Sequence, residues 1–463
     1  RRRQTLLHSS STLAIFEDYA HHPTEITALL NTLRRHAGRL LVVFQPHRYT
    51  RTAQFKVELA AALSLAEQVF LLDVYAASEL PVAGGHTRDL VAELAKLGHP
   101  GKISDFSGSA RKLGAALQHE LRDGDTLVFV GAGDIDVAAH AFVAAHRAAE
   151  GEKDWARFVA AVRARLAATV KLTENELLGP KTTMRVGGPA RVYAEPTTEE
   201  ELQTLLQIAR EQGRRVLLLG RGSNLVVPDE GVDGLVISLA HPNWQTFAPQ
   251  ADGRVWVGAG LRLKNLCGLA TKAGLQGFEF MEGIPASVGG ALRMNAGAMN
   301  GWTFDVVDEV QVMTLAGEKR IFQKAELHVG YRHCTELETT VALGAYLRPL
   351  GQAEAQVIKQ QIETYQKKRQ ESQPREPSAG CIFKNPPGTS AGKVIDACGL
   401  KGARVGDAEV SSVHANFIVN RGQATGAEVL ALVRKIRAEV KARCGITLEP
   451  EVMLFGQNWK DVL

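Results

Sequence analysis

Cysteine is scarce in this chain. Five thiols, Cys267, Cys334, Cys381, Cys398 and Cys444, are spread over 463 residues, and no two form a C-x-x-C pair. An odd number without metal-type spacing supports neither a disulfide framework nor a zinc site, so a reducing compartment and no metal are expected. Long apolar runs are also missing, since nothing approaches the roughly 18 residues of a membrane span. The basic opening RRRQTLLHSSSTLAIF is interrupted by HSSST before a signal-type core develops. A cytoplasmic protein without a membrane span is the resulting expectation. Charge of one sign is lacking too: the net charge is only +4, and cations are interspersed with anions rather than gathered in an arm, which argues against a nucleic-acid partner. Small anionic ligands stay open. The chain has no G-x-x-x-x-G-K-[ST] loop, and GAGLRL and GAGDID lack the third glycine and the acidic residue of a Rossmann fingerprint. It begins without Met and in mid-pattern, as a fragment of a longer polypeptide would.

What is present suits a globular protein of two to four domains, at 45% hydrophobic and 22% charged residues. Residues 1–148 alternate strand-like runs (LLVVF, VFLLDVY, DTLVFVGAG) with helical patterns (PTEITALLNTLRRHA, TAQFKVELAAALSLA), the βαβ signature of a mostly parallel sheet covered by helices. Residues 149–175 read as a charged helical connector. Over 176–350 the texture changes to short strands between Gly-rich turns, with one helical stretch after Gly260. Residues 351–463 open on a long amphipathic helix and continue as an α+β unit whose last strand, ITLEPEVMLFG, would carry Glu449 and Glu451 on one face.

Two loops carry a ligand signal. LLLGRGSNLVV places Gly220, Gly222, Ser223 and Asn224 directly after an apolar strand, where glycines let backbone N–H groups converge on an anion and Ser and Asn add donors; a plain glycine-rich hairpin would read the same way. MEGIPASVGGALRMNAGAM offers Gly283, Ile284, Pro285 and Ser287, then Gly289 and Gly290, as a loop feeding a helix start that favours phosphate. Two such loops point to a pyrophosphate ligand bound outside a Rossmann fold.

The motifs TTMRVGGPA, GRGSNLVV, GFEFMEGIPASVGGALRMNAGA, GYRHC, AGCIFKNP and LEPEV occur in that order over about 280 residues. Together they resemble the UDP-N-acetylenolpyruvoylglucosamine reductases, in their compact type II form. The resemblance implies an FAD-binding α+β domain of the vanillyl-alcohol-oxidase type, a C-terminal α+β substrate domain, and reduction of UDP-N-acetylglucosamine enolpyruvate by NADPH through FAD. It places Arg185 with the two loops at the cofactor, makes Arg332, Cys381 and Glu451 catalytic, and puts Tyr331, Lys384 and Asn385 at the UDP-sugar. Arg332 would grip a carboxylate bidentately. Glu451, in a closed apolar cleft, would become a stronger proton holder. Cys381 would stand where many members carry a serine proton donor; a buried free cysteine acting as a small hydrophobe is the plainer alternative.

EDYAHHPTEI and VVFQPHRYTRT resemble the C-terminal domain of the UDP-N-acetylmuramate–L-alanine ligases, with Asp18, Tyr19, His21, His22, Arg48 and Arg51 as the ligand-facing residues. The ligase's N-terminal and central domains are not in this sequence, so they would be partners within a longer polypeptide and this segment alone would ligate nothing. Two rival readings are a flavin oxidase of the same superfamily and a non-catalytic scaffold of cell-wall synthesis.

Overall fold

The computed structural model describes residues 3–35, 38–98, 102–106, 110–166 and 168–463. The chain divides into two compact units, Arg1–Asp154 and Trp155–Leu463.

In the first unit, β1 (Thr5–Ser9), β2 (Leu13–Asp18), β3 (Arg39–Phe44), β4 (Gln68–Leu71), β5 (Lys102–Asp105) and β6 (Asp125–Val130) form one sheet in the order β1-β2-β6-β3-β4-β5. All neighbours are parallel except the antiparallel pair β1 and β2. The run LLVVF is continuous in apolar residues because β3 is covered on both faces. Leu40, Val42 and Phe44 pack with α1 (Pro23–Arg34), α2 (Tyr49–Leu63) and α3 (Thr87–Lys96), while Leu41 and Val43 pack with α4 (Ala110–Glu120) and α5 (Ile135–Arg165). The charged stretch expected as a connector from 149 is therefore continuous with α5, and an antiparallel strand, Lys171–Leu177, begins inside it.

In the second unit a four-stranded sheet joins Lys171–Leu177, Pro189–Glu195, Val232–Ile237 and Val216–Leu218. A five-stranded antiparallel sheet joins Phe247–Pro249, Val255–Gly258, Thr340–Leu347, Val307–Thr314 and Lys319–Gln323. Besides the expected helix after Gly260, at Leu263–Lys272, the helix Glu199–Glu211 packs Leu202, Leu205, Leu206, Ile208 and Ala209 into the core. Thr198 and Glu201 form its capping box, which fixes its start.

The last layer has helices Ala391–Ala397 and Gly426–Cys444 on a four-stranded sheet that includes Ser378–Cys381 and Phe417–Asn420, while helix Ala355–Ser372, which leads into it, packs Ile362 and Tyr365 into the core that holds helix Leu263–Lys272. It is tied to the layers before it at several points. Leu225–Val226 pairs in parallel with Met453–Leu454, and Asn420 Nδ2 donates to the Met184 carbonyl at 3.1 Å. The Asp229 carboxylate accepts the first amides of helix Gly426–Cys444, from Gly426 at 2.6 Å and Ala427 at 2.8 Å, where the helix dipole favours a negative charge.

The long final strand does not form. Only Met453–Leu454 is extended, with Pro450 bridged to Phe383. Glu449 and Glu451 consequently part company: the Glu449 side chain is 74% exposed and that of Glu451 only 7%.

Candidate active site

A cavity of about 1240 Å³ opens in the second unit, lined by both glycine loops, by Arg185 and by Cys381, Arg332 and Glu451. Eight Lys and Arg residues line it against three Glu, so a chain that is nearly neutral overall concentrates positive charge here. Such a wall suits phosphate groups.

Backbone strain marks the same place. Arg185 and Arg332, both in the cavity lining, hold left-handed conformations, φ 60° and 57°, which non-glycine residues adopt at an energetic cost. Gly222 is also left-handed, φ 61°, and a Cβ there would lie 2.8 Å from the Thr182 Cα. Gly222→Ala is thus expected to destabilise the protein by roughly 1–3 kcal/mol, the range for a non-glycine residue forced into this region; an unchanged melting temperature would contradict that. A Cβ on Gly220 would meet Ser287 Oγ at 3.0 Å, so the two loops close on each other.

The loops divide their labour differently from the sequence expectation. Gly289 does not line the cavity; its amide donates to the Ala259 carbonyl at 2.9 Å, and its missing side chain makes room for the Ala259 methyl. Asn224 Nδ2 donates to the Glu451 carbonyl at 3.2 Å while Asn224 O accepts the Met453 amide at 2.9 Å, so this residue positions the Glu451 segment. Ser287, Gly290, Gly283, Ile284 and Pro285 do face the cavity.

Glu451 Oε1 accepts from Arg332 Nε at 2.7 Å, and its Oε2 accepts from Tyr331 Oη at 2.9 Å. The apolar cleft expected around Glu451 is instead an ion pair with a phenol beside it. The guanidinium also lies 5.4 Å from the Tyr331 ring and 5.6 Å from the Trp302 ring, a cation between two aromatic faces. Burial, then the Glu451 charge, push the Tyr331 hydroxyl up to about 12.

Cys381 ends its strand after Gly380, φ 77°, where the pairing with Phe417–Asn420 slips. Such an irregularity re-aims a side chain, here into the cavity wall. Asn416, 2% exposed, clamps the following residues: its Oδ1 accepts the Phe383 amide at 3.0 Å and its Nδ2 donates to the Phe383 carbonyl at 2.8 Å. Burial, then the Glu451 carboxylate, push the Cys381 thiol up to about 11, against an opposing pull from Arg332, Asn416 and Arg369. At neutral pH the thiol holds its proton.

Lys384 and Asn385 lie outside the lining of this cavity. Lys384 Nζ is 3.6 Å from Glu449 at the surface, and Asn385 Oδ1 accepts the Ala391 amide at 3.0 Å, closing a turn. Tyr331 lines a smaller neighbouring cavity of about 460 Å³ together with Trp302.

Arg369 was not apparent from sequence. It packs against Gly283, burial lowers its pKa, and its Nε is buried with no hydrogen-bond partner among the described residues. One cation in a long polar helix carries no sequence signal of this kind.

In the first unit, Asp18 accepts the amides of Gln4 and Ala20, both at 2.7 Å, and His22 caps α1, so both have structural duties. His21 Nδ1 lies 3.1 Å from the Tyr19 carbonyl. Arg48 is left-handed, φ 70°, with its guanidinium 3.9 Å from Glu79, and Arg51 Nη1 is buried without a hydrogen-bond partner among the described residues.

Three family models match in chain order: the Mur ligase, glutamate ligase domain over residues 1–133, an FAD binding domain over 190–321, and the UDP-N-acetylenolpyruvoylglucosamine reductase, C-terminal domain, over 373–455. The UDP-N-acetylenolpyruvoylglucosamine reductase of Moorella thermoacetica is 43% identical over 293 residues, 62% of this chain and 95% of the relative. That of Geobacter metallireducens is 41% identical over 298 residues, covering 64% and 98%. The crystal structure of the reductase from Thermus caldophilus is 40% identical, with a TM-score of 0.53 over 62% of this chain and 98% of that one.

Proposed function

Because the chain belongs to the UDP-N-acetylenolpyruvoylglucosamine reductase family, we propose that its second unit reduces UDP-N-acetylglucosamine enolpyruvate to UDP-N-acetylmuramate, a step of peptidoglycan precursor synthesis, with FAD as cofactor and NADPH as reductant. The observation that carries the reading is the convergence of Cys381 and the Arg332–Glu451 pair with both glycine loops on one positive cavity.

The residues fit an FAD. Both loops fall within the matched FAD binding domain, Gly220, Gly222, Ser223, Gly283 and Gly290 line the positive cavity, and the orphaned donor of Arg369 sits against Gly283. Gly220, Gly222, Ser223, Gly283, Ser287, Gly290 and Arg185 would hold it. When bound, FAD would supply the hydride chemistry that links NADPH oxidation to reduction of the enolpyruvyl methylene carbon.

The chain itself supplies charge and a proton. Addition at the methylene leaves negative charge on the neighbouring carbon and its carboxylate. Arg332, oriented by Glu451 and unable to lose its charge, stabilises that anion where it develops. Cys381 gives its proton to the same carbon, and the thiolate recovers one from water. With the thiol near 11, this donor is present at neutral pH and is lost as pH rises through 11. Turnover should therefore fall on that alkaline limb, and in Cys381→Ser the limb should disappear, because an alkyl hydroxyl keeps its proton there. A limb of the same position in both proteins would remove Cys381 as the donor.

The direct test is anaerobic reduction of the bound flavin with NADPH, followed by addition of the enolpyruvyl nucleotide. Prompt reoxidation supports the reading. Reoxidation by oxygen with indifference to the nucleotide would replace it with an oxidase. A cytoplasmic location and a ligase role for the first unit belong to the same proposal; the latter would require nucleotide-sugar and ATP-binding domains beside it.

A further inference from the structure

In the first unit, away from every residue used above, His8 on β1 and His146 and Glu150 on α5 turn toward one another, with their ligand atoms all within 4.8 Å. The pairing of β1 with β2 slips between Leu6 and His8, an irregularity that re-aims the His8 side chain. His146 and Glu150 stand one turn apart on α5 and so share a face. The two imidazoles meet edge to face at 5.4 Å.

The spacing is too wide for hydrogen bonds and leaves room for an ion between the three groups. His8 Nε2 is 3.8 Å from one Glu150 oxygen and His146 Nε2 is 3.7 Å from the other, beyond hydrogen-bond reach. Both Nε2 atoms are fully buried with no hydrogen-bond partner among the described residues, and the His8 side chain is only 10% exposed. Unmet imidazole nitrogens at such depth are costly. Tetrahedral ligands about 2.0–2.1 Å from a zinc ion stand about 3.4 Å apart; here each imidazole faces a different Glu150 oxygen and the three ligand atoms lie within 4.8 Å of one another, so rotation of these side chains by up to about 1.4 Å closes the shell.

We propose that His8, His146 and Glu150 bind one divalent transition metal ion of the zinc class. Two imidazoles and a carboxylate select such an ion over calcium or magnesium, which prefer oxygen shells. Glu150, 40% exposed, leaves the fourth position to water or an external ligand. Arg147 Nε reaches His8 Nδ1 at 3.5 Å and Arg147 Nη2 holds the Leu7 carbonyl at 2.8 Å. The first of these is at the limit of a hydrogen bond and yields when the His8 proton moves to Nδ1, freeing Nε2 for the metal. The ion would pin the edge strand β1 to α5.

The test uses the full chain, stripped with chelator and titrated with cobalt(II) chloride and, by calorimetry, with zinc chloride. Wild type should take up one equivalent and develop the visible absorption of four-coordinate cobalt. Glu150→Gln, at a half-open surface position, should weaken binding roughly tenfold or more. His146→Gln should abolish the band, with circular dichroism and melting temperature confirming a folded chain. Failure of wild type to bind at millimolar metal would overturn the proposal. So would an unchanged affinity and spectrum in both variants, which would move the ion elsewhere, for instance to Cys398 and Cys444, whose sulfurs lie 3.4 Å apart.

Discussion

Cys381→Ala is expected to lower turnover about 10²–10⁴-fold, the usual contribution of a positioned proton donor, while flavin content and NADPH-driven flavin reduction stay near wild type. The split follows from geometry. The thiol is on the strand Ser378–Cys381, in a different layer from the glycine loops, and methyl for thiol removes only a sulfur from the cavity wall. Rapid-mixing measurements of the two half-reactions separate the outcomes. If alanine slows both halves equally, Cys381 is a packing residue; if only the oxidative half slows and serine restores it, the residue gives the proton. Alkylation by iodoacetamide should be slow at neutral pH, because the thiolate is the nucleophile and a thiol near 11 is almost wholly protonated there. Fast alkylation of Cys381 would mean that Glu451 and burial do not govern it.

Arg332→Ala should be the second severe lesion, and it should appear on two axes. Loss of a fixed charge at the developing anion lowers turnover by about 10²–10³-fold. The same change leaves Glu451, 7% exposed, without its cation, and breaking a buried pair from one side costs roughly 3–5 kcal/mol. Tyr331 keeps one hydrogen bond to that carboxylate, which sets the expectation at the lower end. Adding Glu451→Gln to Arg332→Ala should recover most of the melting temperature and none of the turnover. Recovery of both would reduce the pair to a structural bridge; recovery of neither would mean that the destabilisation comes from the left-handed backbone at residue 332.

Legibility in the sequence followed the physics of each element. β3 was readable because a strand buried on both faces must be apolar throughout, and helix Ala355–Ser372 because its length is amphipathic and Pro374 marks where it stops. Helix Glu199–Glu211 went unread although Thr198 and Glu201 announce its start; its apolar positions fall between short strands whose texture dominates the window. The final strand failed because period-2 alternation says nothing about a partner. Glu449 and Glu451 separate where Pro450 meets Phe383. At the cavity, Arg332, Cys381 and Glu451 come from ordered motifs, whereas Arg369 and Asn416 do not. Their roles depend on Gly283 and on the Phe383 backbone, 86 and 33 positions away in the chain respectively by subtraction of residue numbers. Gly289 and Asn385 misled in the opposite sense: both belong to good motifs, yet one packs against Ala259 and the other closes a turn.

The main-chain ties around Glu451 have a consequence for how the enzyme would fail. Glu451 N bonds to Ile382 O at 2.8 Å, Lys384 N to Glu449 O at 2.9 Å, and Met453 N to Asn224 O at 2.9 Å. The thiol segment, the carboxylate segment and the first glycine loop are thus stitched by main-chain amides, with the Asn224 side chain adding one further tie to the Glu451 carbonyl. Their amide protons should exchange with deuterium at one common rate, as a single cooperative opening. Heating then cannot strip away proton delivery while sparing the nucleotide loop, and activity should vanish in one step together with the flavin.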